Sequence, residues 1–223
     1  MAATRPVGPT VAEQPAPAKR RNENARLAVL NAADDLLVER GFDGLTIEGI
    51  AARAGVAKQT IYRWWKSKVD ILYDNLVLDA EDALAWPEPA PGASYTVAEL
   101  RGYLHRFALF LGTAPAGRVL QALLGHAQLD RRTFDLLHTG FLGELTARDT
   151  ERVRQCLAGL VPGAGGQDGA GAGAAEASAL LDALLAPLYY RALLARGPID
   201  PALVDAALDE QLALALARST PGV

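Results

Sequence analysis

Apolar residues in this chain recur at intervals of three and four almost from end to end, and no stretch sustains the alternation of apolar and polar residues that a half-buried strand requires. β-Branched residues rarely cluster, whereas capping residues and helix-stopping glycines punctuate the chain throughout. The spacing therefore predicts an all-α fold. At 223 residues the chain is long enough to join a small module to a larger one.

The first helix is expected from about Asn24 to Arg40, with Leu30, Ala33, Leu36 and Leu37 on one face and Gly41 as its stop. Phe42 then folds back as a hydrophobic plug. Thr46 caps a short second helix on which Ile47, Ile50, Ala51 and Ala54 share a face, with Glu48 in the first turn where the helix dipole favours an anion. Gly55 ends it, and a third helix, Lys58 to about Trp65, follows after a very short turn. Ser67 with Asp70 forms a capping box for a fourth helix reaching about Ala85. Pro87 to Tyr95 is a loop by composition, after which Thr96 and Glu99 repeat the capping box and open a helix carrying Leu100, Leu104, Phe107 and Leu111.

Further helices are expected over Ala116–Gln128 and Arg131–Leu160, the second weakened at Gly140 and Gly143. Val161 to Ala174 has no apolar period and reads as a mobile linker; its glycines lack the Lys-Ser/Thr and the preceding strand of a phosphate cradle. Glu176 to about Ala195 is a Leu-rich helix that Pro187 should kink. Asp200 and Pro201 supply the N-cap and first-turn proline of a last helix running to about Arg218.

The second and third helices, joined across Gly55, have the helix-turn-helix arrangement, with glycine at the turn because a positive φ is required there. Ile61 and Trp65 lie four apart and face inward with Val56. Lys58, Gln59, Thr60, Tyr62 and Arg63 are left outward or lateral, and together they present the cations, amide, hydroxyl and phenol that base edges and phosphates demand. A helix of this width fits the major groove of DNA, where Gln bonds adenine and Arg or Lys bonds guanine. Lys66 and Lys68 add charge at the exit, Lys68 beside the N-terminus of the fourth helix, where backbone N–H groups accept a phosphate. Trp64 points about 100° away from Trp65 around the helix; packing on the first helix and lying against a DNA backbone are both open to it.

Charge follows the same division. From Lys19 to Lys68 ten Lys or Arg stand against six Asp or Glu, a net +4, whereas Val69 to Val223 carries eleven against nineteen, a net −8. A basic head on an acidic body suits a head that meets a polyanion. The expected division is a flexible basic arm over 1–21, the helix-turn-helix domain over 22–68, and a helical regulatory and dimerisation domain over 69–223 with a flexible loop at 161–175.

The run GFDGLTIEGIAARAGVAKQTIYRWWKSKVDIL, within about Asn24 to Leu76, resembles the N-terminal DNA-binding domain of the TetR (tetracycline-repressor-like) family of transcriptional regulators. The stretch Leu188-Tyr189-Tyr190-Arg191 through Pro198-Ile199-Asp200 resembles the C-terminal domain of a subset of that family. The resemblance implies that Lys58 to Trp65 is a recognition helix, with Gln59, Thr60 and Arg63 as base readers and Thr46, Tyr62 and Lys68 as phosphate contacts. Two positions depart from the family pattern: Ala57 stands where a capping Ser or Thr is frequent, a loss of ~1 kcal/mol of cap, and Lys66 stands where Pro is frequent, which adds a possible phosphate contact.

A head this small reads only a few base pairs, so selective binding calls for two heads on a two-fold symmetric double-stranded DNA operator, and hence a homodimer. The expected interface is the apolar surface of the last two helices, Leu180, Leu184 and Leu188 with Val204, Leu208 and Leu212, pairing with its copy as a four-helix bundle. The resemblance further implies repression and a small-molecule effector held in the body that shifts the heads. Tyr103, Phe107, Phe110, His126, Phe134, His138 and Phe141 are the candidate effector contacts.

Other classes of function find little support. The three histidines are scattered with no His-Glu-x-x-His pattern, so no metal is expected, and no nucleophile elbow or cofactor motif is present. Cys156 is the only cysteine, which excludes an internal disulfide and fits a reducing compartment. No apolar run approaches the ~18 residues of a membrane span, and Met1 to Ala18 lacks a secretion signal's pattern. A cytoplasmic protein with no membrane partner is expected.

Overall fold

The computed structural model describes residues 17–89, 91–160, 170–195 and 197–219, and every regular element among them is helical. α1 spans Pro17–Gly44, α2 Ile47–Ala54, α3 Lys58–Trp64, α4 Lys68–Ala83, α5 Val97–Thr113 and α6 Pro115–Ala127. A short α7, Arg131–Asp135, leads through a π-turn at Leu136–Phe141 into α8, Leu142–Leu160. α9 spans Ala170–Tyr189, a second π-turn Tyr190–Ala195, and α10 Pro201–Ser219.

The starts with capping side chains fall where the sequence puts them. The Thr46 hydroxyl accepts the Gly49 N–H, Ser67 accepts from Asp70, and Thr96 and Glu99 close a reciprocal capping box. Asp200 accepts the Ala202 N–H at 2.9 Å, ahead of Pro201. Gly55 takes the left-handed conformation, φ 66°, that turns α2 into α3. Gly41, at φ 69°, breaks α1 near its expected stop.

Three expectations need correction. α1 begins at Pro17 rather than near Asn24, so residues 17–21 of the expected flexible arm are helical; proline fits the first helical position, and Ala-Lys-Arg-Arg favours helix. At the other end of the chain, residues 170–175 of the expected loop belong to α9, where alanines offset the glycines. The remainder of both segments, 1–16 and 161–169, lies outside the described residues.

The helix expected from Arg131 to Leu160, weakened at Gly140 in the sequence, is broken there, φ −93° and ψ −109°. There the Tyr73 hydroxyl of α4 accepts the Phe141 N–H at 3.1 Å, and a Cβ on Gly140 would meet that hydroxyl at 2.3 Å. Third, one stretch among the described residues, Gly173–Ala195, is long and apolar enough to cross a bilayer. Four of its leucines, Leu180, Leu181, Leu184 and Leu188, are nonetheless core residues, buried as α9 packs on α5, α8 and α10, whereas Leu194 is exposed.

That burial also corrects the expected dimer surface. Leu180, Leu184 and Leu188 are at most 6% exposed and Val204 and Leu208 at most 2%, within a single chain, and Leu212 is half-buried. What α9 and α10 turn outward includes Ala179, Ala186, Ala206 and Ala213, interspersed with Asp182, Asp209 and Glu210 and with Tyr190, Leu214 and Leu216.

α4 is shared between the two halves, packing on α1 in the head and on α5 and α6 in the body. Cys156, on α8, is buried with its thiol directed at the Thr96 carbonyl, 3.3 Å away. Burial pushes the thiol pKa up to about 12, so it carries almost no thiolate at neutral pH. Iodoacetamide should leave Cys156 unmodified in the native protein over hours and label it rapidly in denaturant, as read by intact mass; fast native labelling would contradict this placement.

Candidate nucleic-acid interface

α3 is held by its inner face. Ile61 is fully buried and Trp65, which ends the helix with its N–H on the Ile61 carbonyl, is 3% exposed. Within two residues of Ile61, Gln59, Tyr62 and Arg63 are exposed and Thr60 is half-buried. Residues four apart stack along a helix, so Lys58 with Tyr62 and Gln59 with Arg63 form two adjacent outward stripes. The Arg63 guanidinium lies 5.3 Å above the Trp64 ring. Trp64 itself is half-buried, edge-on to Trp65. No side chain caps α3 at Ala57.

The cations differ in how freely they are presented. Lys58 reaches back to Glu48 on α2, Nζ to Oε1 at 2.9 Å, and this bond lowers the carboxyl pKa and raises that of the ammonium. Lys66 is exposed. The Lys68 ammonium is engaged within the head: it donates to the Phe42 carbonyl at 2.5 Å and lies 4.2 Å over the Phe42 ring. Thr46 is exposed but its oxygen accepts from Gly49, leaving its O–H as the group for a phosphate. Arg53 adds nothing to this face, being paired with Glu39 and Asp35 on α1.

The candidate effector residues do not converge. Tyr103, Phe107 and Phe110 are core residues in a chain of tilted rings. His126 meets Phe42 in a tilted ring contact, centroids 4.5 Å apart, at the joint between head and body, and Phe134 and His138 stack on each other at the surface. Phe141 lines a cleft of about 340 Å³ between α4 and α8, with Val77, Leu84, Leu145, Glu81, Glu144 and Arg148 among its walls.

Sequence reasoning missed the most buried charge. Asp149 is fully buried, accepts from Trp86 Nε1 at 3.0 Å, from the Tyr103 hydroxyl and from Arg148 Nε at 2.9 Å. Burial raises the pKa of this carboxyl and of the Tyr103 phenol. The signal was present, because Leu142, Leu145, Asp149, Val153 and Cys156 form one helical stripe with a carboxylate in its middle. Among the described residues no group of three His, Cys, Asp or Glu could hold a metal ion.

The description "Bacterial regulatory proteins, tetR family" matches residues 29–73, and "Tetracyclin repressor-like, C-terminal domain" matches residues 95–211, more than half of the chain. The chain is 38% identical over 121 residues to the helix-turn-helix-type transcriptional regulator YdeS of Bacillus subtilis (strain 168), covering 54% of this chain and 59% of that protein. It is 36% identical over 63 residues to the DNA-binding transcriptional repressor TetR of Mycobacteroides abscessus, covering 28% of this chain and 32% of that one. In both alignments the chain spans less than two thirds of the relative's length. The crystal structure of the TetR family transcription regulator SCO0332 superposes with a TM-score of 0.62 at 30% identity, over 85% of this chain and 97% of that chain.

Proposed function

The chain belongs to the TetR family of DNA-binding transcriptional regulators, and on that premise we propose that it is a cytoplasmic repressor that binds a palindromic operator as a homodimer and is released by a small molecule. The observation that carries the reading is the division of α3, with Ile61 and Trp65 buried and Gln59, Tyr62 and Arg63 exposed on the opposite side. α3 enters the major groove, Gln59, Thr60 and Arg63 read base edges, and Lys58, Tyr62, Lys66 and the Thr46 hydroxyl meet phosphates. Lys68 serves first to hold the Phe42 end of α1 against α4.

A two-fold operator requires a second copy of the chain. The outward alanines of α9 and α10 support a close-packed four-helix bundle between protomers, because small side chains let helix axes approach. The effector is assigned to the body, where the cleft beside Phe141 touches α4, the helix shared with the head.

The direct test is a mobility shift on near-palindromic duplexes from beside the protein's own gene. Retardation should weaken steeply with salt, and the protein should be dimeric at micromolar concentration. Equal retardation of any sequence would remove the operator, and a monomer would remove the interface.

The Lys58–Glu48 pair supplies a finer prediction. Glu48→Gln should free the ammonium, so DNA affinity should rise a few-fold and the salt dependence steepen by about one phosphate contact per head. An unchanged slope would place Lys58 outside the interface.

A further inference from the structure

We propose that Asp74 is the positioning residue of the recognition helix, fixing the rotation of α3 against the rest of the head; this rests on the reading of α3 as the DNA-reading helix. α3 is only seven residues long and has no side-chain cap at its start, so its orientation is set from outside. Ile61 holds it by apolar contact, which resists withdrawal but not rotation. Its directional anchor lies at the other end. The Trp65 indole N–H donates to Asp74 Oδ2 at 2.8 Å, and that same oxygen accepts from Arg26 Nη2 at 3.1 Å. One carboxylate oxygen on α4 thus ties the end of α3 to α1.

The arrangement suits a DNA-facing domain. Asp74 is partly exposed and would repel phosphates if unpaired, but the Arg26 guanidinium, shared with Glu23, offsets its charge. Trp65 is 3% exposed, and Asp74 is the acceptor that satisfies its N–H. α4 also packs on α6, so Asp74 sets where the reading face stands relative to the body as well as to α1. Neither Asp74 nor Trp65 needs to touch DNA to do this. Their effect belongs in the discrimination between sequences, because a rotated helix still meets phosphates but misaligns its base contacts.

Trp65→Phe keeps a buried ring and removes the donor. Asp74→Asn keeps an acceptor oxygen and loses the pair with Arg26. With wild-type protein, Trp65→Phe, Asp74→Asn, Asp74→Ala and the Trp65→Phe/Asp74→Ala double variant, binding would be measured on the best-bound near-palindrome and on a shuffled duplex of equal length. Circular dichroism would establish that each variant is folded at the assay temperature. Trp65→Phe should lose about tenfold in operator affinity, with shuffled-duplex affinity and salt slope unchanged. Asp74→Asn should retain more of the discrimination than Asp74→Ala, and the double variant should be no worse than Asp74→Ala.

A folded Trp65→Phe that keeps wild-type discrimination, or loses affinity equally on both duplexes, overturns the proposal, as do additive losses in the double variant. Arg63→Ala in the same assay separates this failure from the broader one. If Arg63→Ala loses operator binding while Trp65→Phe does not, only the role of Asp74 falls; if neither matters, α3 is not the reading helix.

Discussion

Asp149→Ala should lose about 3–5 kcal/mol of folding stability, because truncating one member of a buried charged network leaves its partners uncompensated. The indole N–H of Trp86 and the hydroxyl of Tyr103 would both lose their acceptor in the interior, and Arg148 would lose its carboxylate. Each orphaned neutral donor costs about 1–3 kcal/mol, which alone accounts for most of the loss. Chemical denaturation measures it directly, and the melting temperature should fall by on the order of 10 °C for a chain of this size.

Two companion variants separate charge from hydrogen bonding. Asp149→Asn keeps one oxygen and removes a charge whose ionisation burial already opposes, so it should cost less than alanine. A triple change, Trp86→Phe, Tyr103→Phe and Asp149→Leu, removes donors and acceptor together and should regain much of the loss. If Asp149→Ala costs less than about 1 kcal/mol, the network does not exist in solution as described. The stacked rings of Trp86 and Tyr103 and the Arg152 guanidinium over Trp86 would persist in the single variants, so the comparison isolates the carboxylate.

Arg63→Ala should weaken operator binding by about 1–3 kcal/mol per half-site, the worth of a good bidentate base contact, and relax specificity at the base pair it reads. In a dimer both half-sites lose the contact, so the combined effect is about 30-fold or more. Arg63 is exposed and buries nothing in the head beyond its contact with the Trp64 ring, so the melting temperature should stay within a few degrees of wild type. Titration of the operator and of a shuffled duplex provides the check. A uniform loss on both would make Arg63 a phosphate contact, and no loss on either would remove it from the interface.

The head was legible because its determinants are local. Thr46, Gly55 and Ser67 act on backbone groups within one turn, and the placement of Ile61 and Trp65 follows from helical period alone. Lys68 shows where that reach ends. Its position was readable, but the group it serves is the carbonyl of Phe42, 26 residues away, which no spacing rule finds. Asp74 is similar: its partners Arg26 and Trp65 lie 48 and 9 residues off on other helices.

The body was less legible for a related reason. Leu180, Leu184, Leu188, Val204 and Leu208 were recognisable as a surface that must be buried, but period gives a face and not the partner that covers it. Packing of α9 and α10 on α5 and α8 spends that face inside the protomer and leaves alanines and acidic residues outside. The scattered aromatic candidates were likewise separated by the path of the chain, three into the core, one to the joint with the head, two to the surface and one to a cleft.

By itself the sequence determined the helical class, the helix starts with capping side chains, the turn at Gly55 and the side chains α3 turns outward, because the free energies that set them arise within a turn or two of chain. Only the tertiary structure decided which apolar faces meet within one protomer, which cations remain free for a polyanion and where a buried carboxylate finds its donors. Those outcomes depend on groups far apart in sequence competing for the same contacts.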